Sequence, residues 1–278
     1  MPLEADNSPF IKYPLKAIEP AFYVEDVFPD PIFNRIKERL GSVNWGPGSN
    51  AFYHTSMGRW ETPLDNTTKY LDGSIFSIDE EFRDMFNDLG RKHFNREDLE
   101  FNISFAVRYQ KQNGNIPLLH KHMDQGYTPF TIDVCIDKQN VNWAIEIDGE
   151  IFPEKENGAV CFGGNQQVHS RPDYPTDTTE ENYLIVMFLH YTPKDHWIAE
   201  AKRNNEDSET IYKKILYYTS DADVRYYLHT GEISFPVLPE GQQMCPCHNY
   251  ETSRPWVMHI LKNGFPTLEE FMSTYKGK

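Results

Sequence analysis

Between residues 101 and 191 the sequence is a succession of short segments rich in β-branched and aromatic residues, separated by turn clusters and without helical periodicity between them. Many short strands with no intervening helices predict an antiparallel sandwich or barrel. This region limits the possible folds more than any other part of the chain. The predicted strands are Phe101–Tyr109, Thr128–Ile136, Trp143–Ile147, Gly158–Phe162 and Tyr183–Tyr191.

Two helical patterns precede the β region. After a strand within Phe22–Phe28, apolar residues at helical spacing predict a helix that begins at Asp30 and is stopped by Gly41. We expect Asp30 to accept hydrogen bonds from the free amides of the first turn. A second helix is predicted over Asp79–His93, and the stretch between the helices, 41–68, is predicted to be a long aromatic loop.

Residues 1–200 are therefore predicted to be one mainly β domain with flanking helices, and residues 201–278 a partly helical C-terminal extension that packs on it. In the extension we expect helical structure up to Tyr218 and a last helix over Thr267–Tyr275. Cys245 and Cys247, in Cys-Pro-Cys-His, resemble half of a zinc site. The chain has no matching second pair, whereas structural zinc takes four ligands, so a metal role is not expected for this motif.

Composition excludes several function classes. The net charge of −15 would repel nucleic acid and anionic lipid, so neither partner is expected. No stretch approaches the roughly 20 apolar residues of a membrane span, and the N-terminus lacks a signal-peptide core. Cys135 and Cys161 lie in apolar runs typical of buried free thiols. We expect a cytoplasmic protein, either monomeric or homodimeric.

One group of residues has the pattern of a metal site. His122 and Asp124 alternate on a predicted strand, so both side chains leave the same face. His169 follows the end of a later strand and is the third candidate ligand. Two imidazoles and one carboxylate suit iron(II) and leave three positions open, as oxygen activation beside an organic substrate requires. His120 also alternates with His122 and can leave the same face. It is either a rival ligand, a hydrogen-bond partner of the metal site or a co-substrate contact.

With these motifs, residues 22–195 resemble the iron(II)- and 2-oxoglutarate-dependent oxygenases, in particular their prolyl 4-hydroxylase-like branch. The resemblance lies in the order of an opening strand and helix, His122-x-Asp124, Gly158-x-x-x-Phe162, His169 and a closing strand. It implies a double-stranded β-helix, also called a jelly roll or cupin-like fold. It also implies Fe(II), 2-oxoglutarate and O2, with ascorbate as an optional reductant, and hydroxylation, desaturation or oxidative cyclisation at an unactivated C–H bond.

The co-substrate site departs from the family pattern. Such enzymes hold the distal carboxylate of 2-oxoglutarate with an Arg or Lys near the start of the final strand, but 182–188 contains no cation. Arg108 is the preferred substitute because an arginine inside an apolar strand is rarely unpaired, and Arg171 is the second choice. A salt bridge to a neighbouring acid is the alternative role of each. Tyr109 and Thr131 are lesser candidates for hydroxyl contacts.

The expected substrate is a small molecule, such as an amino acid or a biosynthetic intermediate, because the long loop and the C-terminal extension can enclose a pocket. Trp45, Arg59, Trp143 and Tyr174 are candidate substrate contacts, with ordinary packing as the alternative for each. A protein or peptide prolyl hydroxylase is the alternative within enzymes. A non-catalytic jelly-roll binding module is the alternative from another class.

Overall fold

The computed structural model describes residues 20–46, 51–54, 57–62, 80–124 and 128–207, and single positions or short pieces between 210 and 270. Within these described residues, two helices and ten strands precede a short third helix. In chain order the elements are β1 (Phe22–Val24), α1 (Asp30–Gly41), β2 (Phe52–His54), β3 (Arg59–Glu61), α2 (Glu80–Phe94), β4 (Leu99–Gln110), β5 (Phe130–Gln139), β6 (Ile145–Ile147), β7 (Glu150–Phe152), β8 (Ala159–Phe162), β9 (His169–Ser170), β10 (Tyr183–Pro193) and α3 (Trp197–Arg203).

The strands form two antiparallel sheets. The large sheet has the order β1-β8-β5-β10-β4-β3-β2 and the small sheet the order β7-β6-β9, which the segment at His122 extends by a bridge to β9. From β4 onwards the chain passes repeatedly from one sheet to the other, with β4, β5, β8 and β10 in the large sheet. This is the winding of a double-stranded β-helix, and it confirms the predicted mainly β fold with flanking helices.

The period-2 alternation along β5 separates two layers of the core. Ile132 and Val134 pack against α1 and α2, which cover one face of the large sheet. Thr131 and Asp133 point the other way, into the space between the two sheets, where their partners come from β10 and from the segment after β9. The helices therefore stabilise the outer face of the sheet, and the inner face is left for a site.

Helix α1 differs from the expectation at both ends. The N-cap is Pro29, whose φ of −56° and ψ of 142° give the extended conformation of a cap, and no side chain caps the helix. Asp30 thus lies inside the first turn, where its charge still complements the helix dipole. Gly41 is the last helical residue, and Ser42 follows as the C-cap, whose N–H donates to the Glu38 carbonyl (3.1 Å).

The stretch predicted as an irregular loop contains a hairpin. Strands β2 and β3 pair with each other, and β3 pairs with β4, which brings Arg59 opposite Tyr109. The predicted helix over Thr267–Tyr275, the continuation to Tyr218 and Cys245-Pro-Cys-His248 lie outside the described residues or only touch them at single positions. Among the helices that are described, none is long and apolar enough to cross a membrane.

Candidate metal centre

Backbone pairing in the small sheet brings the predicted ligands together. The N–H of His122 donates to the His169 carbonyl (3.1 Å), and the N–H of His169 donates to the His122 carbonyl (2.9 Å). Two residues further on, the N–H of Asp124 donates to the carbonyl of Gly164 (2.7 Å). These bonds fix the segment 122–124 against β9 and against the end of β8.

The three side chains converge on one point. One ligand atom from each of His122, Asp124 and His169 lies within 4.8 Å of the other two. Asp124 Oδ1 is 3.4 Å from His169 Nε2 and 3.8 Å from His122 Nε2. The two imidazole centroids are 4.2 Å apart. A group of two imidazoles and a carboxylate in this arrangement can hold a metal ion from one side.

Each imidazole is oriented by a backbone carbonyl. His122 Nδ1 lies 2.7 Å from the His120 carbonyl oxygen, and His169 Nδ1 lies 3.0 Å from the Gln167 carbonyl oxygen. A carbonyl oxygen only accepts hydrogen bonds, so the proton of each ring belongs on Nδ1 and the lone pair on Nε2. Both Nε2 atoms are those nearest Asp124, so the donor set fits a divalent cation.

Charges within the group are consistent with this assignment. Burial and the neighbouring His169 hold the pKa of His122 well below its usual value. Burial opposes the charge on Asp124, but His169, His190 and His122 together lower the pKa of that carboxyl, with His169 contributing most among them. Burial likewise opposes charge on His169, and Asp124 raises its pKa instead. The anionic carboxylate therefore favours a positive charge at His169, and a metal ion bound to Nε2 would supply that charge in place of a proton.

Gly164 allows the chain to approach this centre, and sequence patterns did not identify it. A Cβ added there would overlap Asp124 Oδ2 and lie 2.6 Å from Thr131 Oγ1 and 2.8 Å from the Thr128 carbonyl oxygen. Only a residue without a side chain leaves the carboxylate its present position. A glycine directly after a strand that precedes a candidate ligand was the available signal.

Thr131, a candidate for a hydroxyl contact to the co-substrate, lies beside the centre and has a partner that was not predicted. Its Oγ1 is 3.0 Å from Nδ1 of His190 on the neighbouring strand β10. His190 is buried, and burial lowers its pKa to about 4, so the ring is neutral at neutral pH. Its position at the end of an otherwise apolar strand was the signal that could have found it.

Arg171 extends into the same interior. It follows His169 by two residues, and its side chain is fully buried. Nη1 donates to the Trp143 carbonyl (2.7 Å), and Nη2 lies 3.1 Å from Asp133 Oδ2 and 2.5 Å from Glu154 Oε1. Neither acid was predicted, although an aspartate inside the apolar run Phe130–Ile136 was a readable signal.

Arg108 does not reach this interior, and the orientation expected for it is wrong. Tyr109 points between the sheets, so its neighbour Arg108 leaves the opposite face of β4. There its Nε donates to Gln110 Oε1 (2.8 Å), and its guanidinium lies 4.0 Å above the ring of Tyr183, which packs against the helix-side core. Alternation predicts which residues share a face but leaves open which face is the inner one.

The remaining aromatic candidates form a packed cluster at the Arg171 end of the interior. The Tyr109 ring lies 5.8 Å from the Arg59 guanidinium and 5.4 Å from that of Arg171. Trp143 meets Tyr109 edge to face at 5.1 Å, and Tyr174 meets Trp143 in the same way at 4.9 Å. Arg59 Nη1 donates to the Tyr109 hydroxyl (3.3 Å) and pairs with Glu61. These side chains therefore surround Arg171 rather than the three metal-site residues.

Two other candidates, Trp45 and His120, belong neither to the group of three ligands nor to the cluster around Arg171. Trp45 is on the helix side of the large sheet, where Nε1 donates to the Leu40 carbonyl (3.2 Å), so it belongs to the outer core. His120 lies beside His122 with 5.3 Å between ring centroids. It is not part of the three-residue group, and its carbonyl is what orients the His122 ring.

The fold and the centre together define a class of site: a double-stranded β-helix with two histidines and one carboxylate grouped at its small sheet. No protein-family model matches the chain, and no curated protein matches it. Solved structures to which the chain is similar include the α-ketoglutarate-dependent epimerase SnoN from nogalamycin biosynthesis (11% identity, TM-score 0.44, covering 62% of this chain and 78% of that one). Another is HygX from Streptomyces hygroscopicus, with nickel, 2-oxoglutarate and hygromycin B bound (10%, 0.43, 64% and 85%). A third is a prolyl-4-hydroxylase from Pseudomonas putida (10%, 0.41, 62% and 92%). These TM-scores lie below 0.5, so the fold assignment rests on the strand order and the site on its own geometry.

Proposed function

We propose that this protein is an iron(II)- and 2-oxoglutarate-dependent oxygenase that oxidises an unactivated C–H bond of a small molecule. The observation that carries the proposal is the convergence of His122 Nε2, His169 Nε2 and Asp124 Oδ1, with both Nδ1 atoms bonded to carbonyls. A facial set of this composition is suited to non-haem iron(II) and leaves room for further ligands.

Each residue of the centre would have its own role in holding the metal ion. His122 and His169 would donate Nε2 lone pairs, and Asp124 would supply the negative charge that lowers the net charge of the bound ion. Iron(II) held there supplies, with 2-oxoglutarate and O2, the oxidising power that side chains lack. Gly164 keeps the position of the carboxylate free, and the Thr131 hydroxyl, held by His190, lies against the same carboxylate edge.

Arg171 is the better proposal for the residue that holds the distal carboxylate of 2-oxoglutarate. It alternates with His169, so both side chains leave the same face of the chain, and its guanidinium is buried in the interior next to Tyr109. Nη1 and Nη2 have partners, and Nε has no hydrogen-bond partner among the described residues, so Nε–H is the donor left for a carboxylate. Arg108 is on the other face of the sheet, away from this interior.

A pocket for a small substrate is supported by the two phenylalanines next to His190. Phe105 and Phe188 are on the inner face, 5.1 Å apart, and His190 stacks on Phe188 with an interplanar angle of 5°. Both rings are only partly buried although they point between the sheets, so accessible space remains beside them. Apolar walls with a few polar groups are typical of small-molecule sites.

The test is succinate formation from 2-oxoglutarate with Fe(II) and ascorbate, followed for the protein and for His122→Ala and Asp124→Ala. We expect the natural protein to form succinate under these conditions, and the rate of succinate formation to fall at least about 100-fold in both variants. His229→Ala, which removes an exposed histidine, is the matched control and is expected to keep full activity. No succinate, or equal succinate from all variants, contradicts the proposal and favours a binding module. Stimulation by a proline-containing peptide but not by free amino acids assigns a peptide substrate.

A further inference from the structure

Among the buried polar atoms of the described residues that have no hydrogen-bond partner are Oδ1 of Asp133 and Nε of Arg171. Oε1 of Glu154 is another, although it forms an ion pair with Arg171. Asp133 is 1% exposed, and the Arg171 side chain is wholly buried. Buried polar atoms are nearly always bonded, so a pair without partners indicates a place where a bound molecule makes the missing bonds.

Binding of the distal carboxylate of 2-oxoglutarate beside Asp133 and Arg171 would leave an excess of negative charge there. Arg171 carries one positive charge and already faces the carboxyl groups of Asp133 and Glu154. All three side chains are buried. The distal carboxylate of 2-oxoglutarate would make three carboxylates around one guanidinium. Uncompensated charge in a buried site costs several kcal/mol, and neutralisation by a proton is the usual outcome.

We propose that Asp133 acts as a neutral carboxylic acid in the co-substrate complex, donating its Oδ1–H to the distal carboxylate of 2-oxoglutarate next to Arg171 Nε–H. Binding then takes one proton from solvent whenever Asp133 is ionised beforehand. Asp133 Oδ2 already accepts from Arg171 Nη2 (3.1 Å), so Oδ1 is the oxygen left to carry the proton. The inference rests on the proposed function and adds a residue that selects a carboxylate ligand.

Asp133 is the acid that takes the proton in this proposal. Its side chain has no exposed surface, and its Oδ2 lies 3.1 Å from Arg171 Nη2, farther than Glu154 Oε1 at 2.5 Å. Burial, and then the negative charge of Glu154, raise the pKa of Asp133 well above its usual value, while Arg171 opposes the shift.

The cross-strand neighbours of Asp133, Phe188 on β10 and Val160 on β8, are apolar. The positive charges that favour its ionised form are those of Arg171 and then His169, while Glu154 and Asp124 act against it. The titratable groups that interact with it are Tyr109 of β4, Cys135 of β5, Glu154 after β7, His169 and Arg171 of the β9 segment, and Asp124.

The first test reads the protonation of Asp133 directly, by infrared difference spectroscopy of the nickel-loaded protein with 2-oxoglutarate bound, from about pH 6 to about pH 9.5. We expect a carboxylic-acid carbonyl band that disappears in Asp133→Asn and persists in Asp137→Asn, a change on the same strand at an ion pair with Lys37. In Glu154→Gln the band should titrate at lower pH because a neighbouring negative charge is gone. Glu154→Gln also serves if Asp133→Asn does not fold. No band that depends on residue 133, together with an unshifted titration in Glu154→Gln, overturns the proposal.

The second test measures proton uptake when 2-oxoglutarate is titrated calorimetrically into nickel-loaded protein, in two buffers with different ionisation enthalpies. Above the pKa of Asp133 we expect about one more proton taken up by the natural protein than by Asp133→Asn. The Kd of the natural protein should rise about tenfold per pH unit there, while that of the variant stays flat. Equal proton uptake with binding in both overturns this inference alone. Absence of binding in both overturns the proposed function and this inference with it.

Discussion

Replacing Gly164 by alanine tests whether close approach of the chain to Asp124 sets the geometry of the metal centre. Ordinary contacts of a Cβ begin at 3.4 Å, whereas this one would lie 2.8 Å from the Thr128 carbonyl oxygen and 2.6 Å from Thr131 Oγ1. The shortfalls are 3.4 − 2.8 = 0.6 Å and 3.4 − 2.6 = 0.8 Å. One obstacle is backbone, and Asp124 Oδ2 overlaps the new atom, so the carboxylate has to move.

A shift of that size is large for a metal site, where ligand distances hold within roughly 0.2 Å. We therefore expect Gly164→Ala to bind Ni²⁺ about 10- to 100-fold more weakly by calorimetric titration, with unfolding free energy lowered by about 1–3 kcal/mol. Gly41→Ala is the control because a Cβ there meets nothing within 4 Å. Nickel affinity of Gly164→Ala equal to that of Gly41→Ala would refute the steric reasoning.

Two further predictions concern stability. Burial lowers the pKa of His190 from 6.5 to about 4, so this residue's contribution is complete above pH 6.5 and is lost as the pH falls towards 4. The unfolding free energy lost over this pH range is at most roughly 3 kcal/mol. Urea unfolding of His190→Gln should show a smaller loss over the same range, and identical pH profiles of the variant and the natural protein would contradict the prediction. Arg171→Met leaves two buried carboxyl groups without their cation and should cost about 3–5 kcal/mol. Arg108→Met, a change on the half-buried outer face, should cost under about 1 kcal/mol, and equal losses in the two arginine variants would contradict the assignment of their faces.

Local patterns were sufficient for most of the strands and for the group of three. Strand β10 was predicted as Tyr183–Tyr191 and runs over Tyr183–Pro193, because β-branched and aromatic residues in alternation describe a buried strand without further information. The His122-x-Asp124 spacing likewise follows from the side-chain period of an extended chain. The β2–β3 hairpin was missed because its strands are three residues each and derive their pairing from β4.

The partners of charged residues were beyond sequence patterns. Arg171 pairs with Asp133 and Glu154, which precede it by 38 and 17 residues and reach it only after two sheets have packed face to face. The inward face of β4 is decided by which side the helices cover, so alternation alone could not separate Arg108 from Tyr109. Both features, the ion-pair partners of Arg171 and the inward face of β4, are determined by tertiary packing and not by the local sequence.

The most direct test of the central claim is the stoichiometry and affinity of Fe(II) binding, measured by anaerobic equilibrium dialysis. We expect one ion per chain for the natural protein and for His229→Ala, and at least about 100-fold weaker binding for His169→Ala, which removes the ligand contributed from a distant part of the sequence. Full Fe(II) binding by His169→Ala, or none by the natural protein, would contradict the account of this site.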